Sequence, residues 1–267
     1  MTKRVLITGS TDGIGLVAAR DLLALGHRVV LHGRNPKKLA DLAREFDEAG
    51  HEGQYETHEA DLAVLAEVER FSEGLASQAE GLDVLINNAG VFTAPEPRTA
   101  DGLDVRFAVN TIAPYIITRR LLPKIGPDGR IVNLSSAAQS PVDARAFRGE
   151  VPVSAGAAYA QSKLALTAWT RALGLKLGGS PSVVSVNPGS LLGTKMVLEA
   201  FGSSNRSVQI GADILVRATV DEEFDGCEGE YFDNDVGRFG APHPDVNDEG
   251  VRGEIEELIR SVVGSGD

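Results

Sequence analysis

Cysteine is almost missing from this chain. Of 267 residues only Cys227 is a cysteine, so no internal disulfide can form. That excludes a disulfide-stapled scaffold and fits a reducing compartment. Positive charge is also in short supply, with 26 Lys plus Arg against 38 Asp plus Glu and a net charge of −12. Such an acidic excess argues against nucleic acid and anionic membrane surfaces as partners. No apolar run nears the ~20 residues of a membrane span. The run Val5-Leu6-Ile7 after Lys3 and Arg4 is shorter than the about 7–15 residues of a signal-peptide core. A soluble, cytoplasmic protein is expected. The five histidines are scattered, and there is no HExxH, CxxC or acidic cluster at ligand spacing, so no metal is expected. A phosphate-binding G-K-[ST] and a G-x-S-x-G nucleophile elbow are missing too.

What the chain has is alternation. Short β-branched runs occur at Val5-Leu6-Ile7, Val29-Val30-Leu31, Val84-Leu85-Ile86, Ile131-Val132-Asn133-Leu134 and Val183-Val184-Ser185-Val186. A weaker run lies near 54–58 and a last one at Tyr231-Phe232. Continuous apolar runs read as strands buried on both faces. Helical spacing fills 14–25, 36–49, 62–79, 102–122 and 157–177 between them. The pattern predicts an α/β fold: a doubly wound parallel sheet of about seven strands, helices on both faces, one domain over 1–267. Irregular segments at 93–99, 140–155 and 193–207 would overhang the carboxyl edge of the sheet, where ligands bind in such folds.

The first run ends in Thr8-Gly9-Ser10-Thr11-Asp12-Gly13-Ile14-Gly15 and a helix follows at once. Glycines there allow a sharp turn and close approach of a ligand, and the helix start offers free N–H groups to a pyrophosphate. The same glycines would also serve a plain tight connection. The second run ends Leu31-His32-Gly33-Arg34-Asn35, with no acid to bind a ribose 2′-hydroxyl. Arg34 suits a 2′-phosphate instead, so NADP(H) is favoured over NAD(H). Arg34 stacked on adenine would be compatible with NAD(H).

Tyr159 and Lys163 are spaced i, i+4 on a predicted helix and so share a face. An ammonium beside a phenol favours the phenolate. Alone, the pair also describes a half-buried Tyr beside a surface Lys. Asn87-Asn88-Ala89-Gly90, Ser135-Ser136 and Asn187-Pro188-Gly189 follow strand ends in the same chain, and Asn110 lies inside a predicted helix. With the glycine loop, the ensemble resembles the short-chain dehydrogenase/reductase family over roughly 3–235; Arg34, the long Ser136–Tyr159 stretch and Ala158-Tyr159-Ala160-Gln161-Ser162-Lys163 look like its retinol-dehydrogenase-like branch, as a hint about architecture.

The resemblance implies a Rossmann-like fold and a role for each matching residue. Gly9, Ser10, Thr11, Gly13, Ile14 and Gly15 form the cofactor loop. Asp61, with Leu62 beside it, would hold the adenine amino group. Asn88, Ala89 and Gly90 would line the adenosine side, while Pro188, Gly189 and Thr194 would flank the nicotinamide. Ser136 would bind the substrate oxygen and Tyr159 act as general acid/base. Lys163 would bind the nicotinamide ribose and depress the tyrosine pKa, and Asn110 hold a water on the proton route. Two departures stand out. Thr194 lies one residue further from Pro188-Gly189 than the family spacing, and the Ser136–Tyr159 stretch is long. The expected activity is hydride transfer between NADP(H) and a carbonyl or secondary-alcohol compound; a non-catalytic dinucleotide-binding scaffold or regulator is the other reading. A lid near 190–207, a tail helix near 245–263 and a homodimer or homotetramer complete the expectation.

Overall fold

The computed structural model describes residues 1–204 and 206–264. Asn205, at the end of the predicted lid, lies outside the described residues. The first half runs β1 (Arg4–Ile7), α1 (Gly13–Ala24), β2 (Arg28–Gly33), α2 (Pro36–Glu48), β3 (Tyr55–Glu59), α3 (Leu65–Ala76), β4 (Leu82–Asn87), α4 (Val105–Phe107), α5 (Ala113–Leu121) and β5 (Ile125–Leu134). The second half runs α6 (Ala144–Phe147), α7 (Ala155–Leu177), β6 (Ser182–Asn187), α8 (Lys195–Phe201), α9 (Gln209–Val220), β7 (Glu228–Asp233), β8 (Arg238–Gly240) and α10 (Glu249–Val263).

All eight strands form one sheet in the order β3-β2-β1-β4-β5-β6-β7-β8. Seven are parallel and β8 pairs antiparallel with β7. The expected sheet is therefore present with one more strand. β8 has three residues and a half-exposed pattern, too short to show a period. Alternate strand residues feed two cores. Leu6, Val30, Leu85, Ile131 and Val183 pack under α3, α5, α7 and α10. Val5, Val29, Val84, Val132 and Val184 pack under α1, α2 and α9.

The helix expected over 102–122 is broken. A π-helical turn, Ala108–Ile112, separates α4 from α5. Pro114, in the first turn of α5, has no N–H for the carbonyl of Asn110 four residues back, so a regular α-helix cannot run through. No helix among the described residues is long and apolar enough to cross a membrane.

Candidate active site

Strand order reverses beside β1, and the crevice there opens into a cleft of about 490 Å³ over the carboxyl ends of the strands. One wall is the turn between β1 and α1. Gly9 and Gly13 have φ of +68° and +54°, which glycine adopts without a steric penalty. A Cβ on Gly15 would come within 2.4 Å of Asn88 Nδ2 and 2.5 Å of the Gly9 carbonyl. Asn88 explains that closeness, because its Nδ2 donates to the carbonyls of Thr8 (2.8 Å) and Gly9 (3.1 Å) and ties β4 to the turn. Gly9, Thr11, Gly13 and Ile14 line the cleft. Ser10 does not: it is buried, and its hydroxyl donates to the His32 carbonyl (3.2 Å). Gly15 lies beneath the turn rather than on the cleft.

His32 was not singled out in the sequence, where a lone histidine in a strand carries no signal. Its Nδ1 accepts from the Gly9 N–H (3.1 Å), and Nε2 lies 3.1 Å from the Ala60 carbonyl. Burial lowers its pKa to about 4, so the neutral ring links the glycine turn to the end of β3.

The far rim carries Arg34, exposed, with Asn35 and Lys38. Lys38 is engaged by Asp12 (2.7 Å), which also caps α1. Asp61 and Leu62 line the same end. The Asp61 carboxylate accepts from the Ala63 N–H (2.9 Å).

At the other end, α7 begins at its Ser154 cap and presents Tyr159 and Lys163 to the cleft, one turn apart. Lys163 is buried; its Nζ donates to the Leu134 carbonyl (2.6 Å) and sits 5.8 Å from the Tyr159 ring centroid. Burial lowers its pKa to about 7. Burial also raises the Tyr159 phenol, against a smaller downward pull from the hydrogen bond to Ser136. Of the adjacent serines, Ser135 is buried and its hydroxyl donates to that of Thr167 (2.5 Å), which itself donates to the Lys163 carbonyl (2.7 Å). Ser136 is the one facing the phenol. The Phe92 ring lies 5.0 Å from Tyr159.

Asn110 sits behind this pair, fully buried in the π-helical turn. Its side chain is committed: Oδ1 accepts from Val91 N (2.8 Å), and Nδ2 donates to the Val91 carbonyl (3.0 Å) and the Ser162 hydroxyl (3.0 Å). Ala89 and Gly90 line the cleft in front of it. A Cβ on Gly90 would lie 3.4 Å from Asn110 Oδ1 and 3.7 Å from Lys163 Nζ.

The opposing wall runs from Pro188 into α8. Pro188 and Thr194 line the cleft, whereas Gly189 turns away toward Arg206 and Asp235. Three residues before Thr194, Leu191 has a φ of +51°, the only positive value at a non-glycine among the described residues. Thr194 caps α8 and stands over Gly13. Asp235 fastens the wall's base. Its carboxylate accepts from Ser190 N (2.9 Å), Asn187 Nδ2 (3.0 Å) and Arg206 Nη1 (2.6 Å). Burial would raise its pKa, but Arg206 and Ser190 hold it far below the usual carboxylate range. Nothing in the local sequence pattern marks Asp235.

The short chain dehydrogenase family model matches residues 3–202. Retinol dehydrogenase 13 of Mus musculus is 32% identical, over 93% of this chain and 80% of that protein. Among solved structures, an uncharacterised protein of Mycobacterium paratuberculosis is 28% identical with a TM-score of 0.78, over 98% of this chain and 93% of that one. A short chain dehydrogenase from Burkholderia cenocepacia in complex with NADP is 27% identical with a TM-score of 0.69, over 88% and 97%. The sheet order, the glycine turn beneath a cleft and this likeness along the chain agree: the protein belongs to the short-chain dehydrogenase/reductase family of oxidoreductases.

Proposed function

We propose that this enzyme interconverts a carbonyl compound and the corresponding alcohol with a preference for NADP(H), through Ser136, Tyr159, Lys163 and Asn110. The observation that carries the reading is the meeting of the Ser136 hydroxyl and the Tyr159 phenol at the end of β5, above the buried ammonium of Lys163. The cleft fits a dinucleotide: side-chain-free backbone at Gly9 and Gly13 faces the α1 start, and Arg34 lies on the rim after β2, in no ion pair among the described residues. A bound nicotinamide supplies or takes the hydride.

In reduction, Ser136 and Tyr159 polarise the carbonyl oxygen and Tyr159 gives it a proton. Burial suits that direction, because it keeps the phenol protonated in the chain alone. Lys163 holds the ribose hydroxyls and draws the phenol down once it is charged. The side chain of Asn110 is fully used, so its contribution is the main-chain carbonyl that Pro114 leaves without an α-helical donor. That oxygen positions a water on the proton route. The segment near 190–207 serves as a lid, and Phe92 and Met196 favour a mainly apolar substrate. All eight strands in one sheet support a single domain. The test is a screen of carbonyl compounds and alcohols against NADPH/NADP and NADH/NAD, read by nicotinamide absorbance. Turnover with no carbonyl or alcohol on either cofactor overturns the reading.

A further inference from the structure

The turn that follows β5 carries Ser136, and its main chain is held from two sides. The Ser136 carbonyl accepts from the Gln139 side-chain amide (2.9 Å) and from the Tyr231 hydroxyl on β7 (3.3 Å). The other end of the same amide accepts from the backbone N–H of His243 (3.2 Å), in the segment that leads from β8 into α10. The Ser136 hydroxyl in turn accepts from the Ala138 N–H (3.1 Å), which closes the turn. The orientation of Gln139 is forced: one neighbour is a carbonyl and the other an N–H, and a neutral amide offers a donor and an acceptor together. Tyr231 is buried, and its burial keeps the phenol protonated and therefore a donor.

We propose that Gln139 and Tyr231 are positioning residues for the reaction: they fix the Ser136 main chain, and so aim its hydroxyl at Tyr159, with Gln139 tying that aim to the docked C-terminal segment. The inference rests on the roles of Ser136 and Tyr159 given above. The C-terminal segment does not depend on Gln139 for its own docking, since Val246, Ile255, Leu258 and Ile259 are buried in the core. Gln139 is thus a one-way strut between a fixed element and the reacting serine.

The groups facing the Tyr159 phenol are Ser136 from the β5 turn, Lys163 from its own helix and the Phe92 ring from the loop after β4. Ser136 is the one that opposes burial. Letting it swing away leaves the phenol harder to ionise, so alcohol oxidation, which needs the phenolate, should require higher pH.

The experiment uses Gln139→Leu and Tyr231→Phe, singly and together, in the full chain. In the cofactor-free protein, hydrogen exchange at Ala138 should speed up several-fold in Gln139→Leu, while exchange within α10 is unchanged. For carbonyl reduction kcat should fall roughly 10-fold, within the ~10²-fold that a misplacement of about 1 Å can cost, with KM for the cofactor unchanged. The rising limb of the pH profile for alcohol oxidation should move up. Tyr231→Phe, which removes only a hydroxyl, should act the same way but less. The double substitution should cost less than the product of the two, because both donors serve one carbonyl. Unchanged Ala138 exchange overturns the proposal. So does a loss of kcat with no movement of the pH limb, or with loss of cofactor affinity and thermal stability together, either of which marks a merely structural role. If the unmodified protein turns over no carbonyl or alcohol, the functional reading fails on its own, and the exchange measurement still decides whether the turn is held from these two sides.

Discussion

The two walls of the cleft are held by different chemistry. The glycine wall is fastened beneath by neutral hydrogen bonds to which main chain contributes, with one ion pair, Lys38–Asp12, at its outer end. Thr8 N donates to Ile86 O and Ser10 N to His32 O, both at 3.0 Å. Gly9 N donates to His32 Nδ1, and Thr8 Oγ1 accepts from Asn88 N (3.0 Å) and Ala89 N (3.1 Å). The lid wall is fastened at its base by a carboxylate and a guanidinium, Asp235 and Arg206, and turns through a leucine with a left-handed backbone. Backbone packed against backbone leaves no room for alternatives. Side chains clamping a loop leave many. A pyrophosphate is the same in every substrate pair, so a rigid wall suits it; a substrate must enter and leave, so a clamped loop suits the other side.

The chemistry proposed lies where the walls meet, and Tyr159→Phe should break it most. The substitution preserves the ring beside Phe92 and removes only the hydroxyl, so folding and cofactor binding on the glycine wall should persist. General acid/base catalysis contributes about 10²–10⁴-fold, and turnover should fall by at least that. Steady-state rates with NADPH decide it: a folded Tyr159→Phe protein working at near the original rate would falsify the assignment.

Lys163→Met should be next in size and opposite in sign for stability. Burial holds the ammonium at about 7 instead of its ordinary 10.5. Between those pH values the unfolded chain keeps a proton that the folded chain has released, so the stability of the unmodified protein rises with pH across that window. The cost is fully present below pH 7. Without cofactor, Lys163→Met should therefore be the more stable protein at pH 6, by on the order of 5 kcal/mol, and the advantage should fade toward pH 10. Activity should be lost at every pH. Urea melts at pH 6, 8 and 10 check this, and a less stable Lys163→Met protein at pH 6 counts against a strained ammonium.

The same contrast explains how much could be read from the sequence. The glycine wall was legible because close packing dictates residue type. Gly15 has Asn88 Nδ2 and the Gly9 carbonyl where a side chain would go, and Gly33 has Thr11 Cγ2 at 2.6 Å from a Cβ. The sheet was legible because strands buried on both faces carry near-continuous apolar runs, as Val5-Leu6-Ile7 does in β1 and Val183-Val184 in β6. Tyr159 and Lys163 were legible as one helical face. Ser136 came from the resemblance, and the structure turns its neighbour Ser135 into the core against Thr167. His32, Gln139, Tyr231 and Asp235 were not legible. Each acts through partners far away in the chain, and one hydrogen bond across 23 or 95 residues leaves no periodic trace. The break at Asn110 was masked for a related reason: apolar spacing continues through the π-helical turn, and only Pro114 hints at it.

Arg34→Asp sharpens the comparison at the rim of the rigid wall. Lys38 is already engaged by Asp12, so under the proposed NADP(H) preference Arg34 would carry the contact to a 2′-phosphate largely alone. Losing one charge-assisted fork should cost about 1.5–3 kcal/mol, or roughly 10–150-fold in NADPH affinity. NADH affinity should hold or improve. Fluorescence titration with both reduced cofactors reads the outcome, and equal affinities in the unmodified protein remove Arg34 as the discriminator.

The smallest effect is expected on the clamped wall, at Leu191. Its side chain is 54% exposed, so deleting it forfeits little burial. Its φ of +51° places Cβ against its own carbonyl, at a cost of about 1–2 kcal/mol that glycine does not incur. Glycine gives back roughly 0.5–1 kcal/mol through the greater freedom of the unfolded loop. Leu191→Gly should therefore leave the lid slightly firmer, by about 1 kcal/mol or less. The amide to follow is Gly193, whose N–H donates to the Arg206 carbonyl (2.8 Å) across the base of the loop. Its exchange should slow a few-fold in Leu191→Gly and quicken in Asp235→Asn, which keeps an acceptor for Ser190 but gives up the charge facing Arg206. Opposite signs at the two positions are what a loop strained at its turn and clamped at its base requires. Faster exchange in both would mean that the leucine side chain, not its backbone, holds the wall.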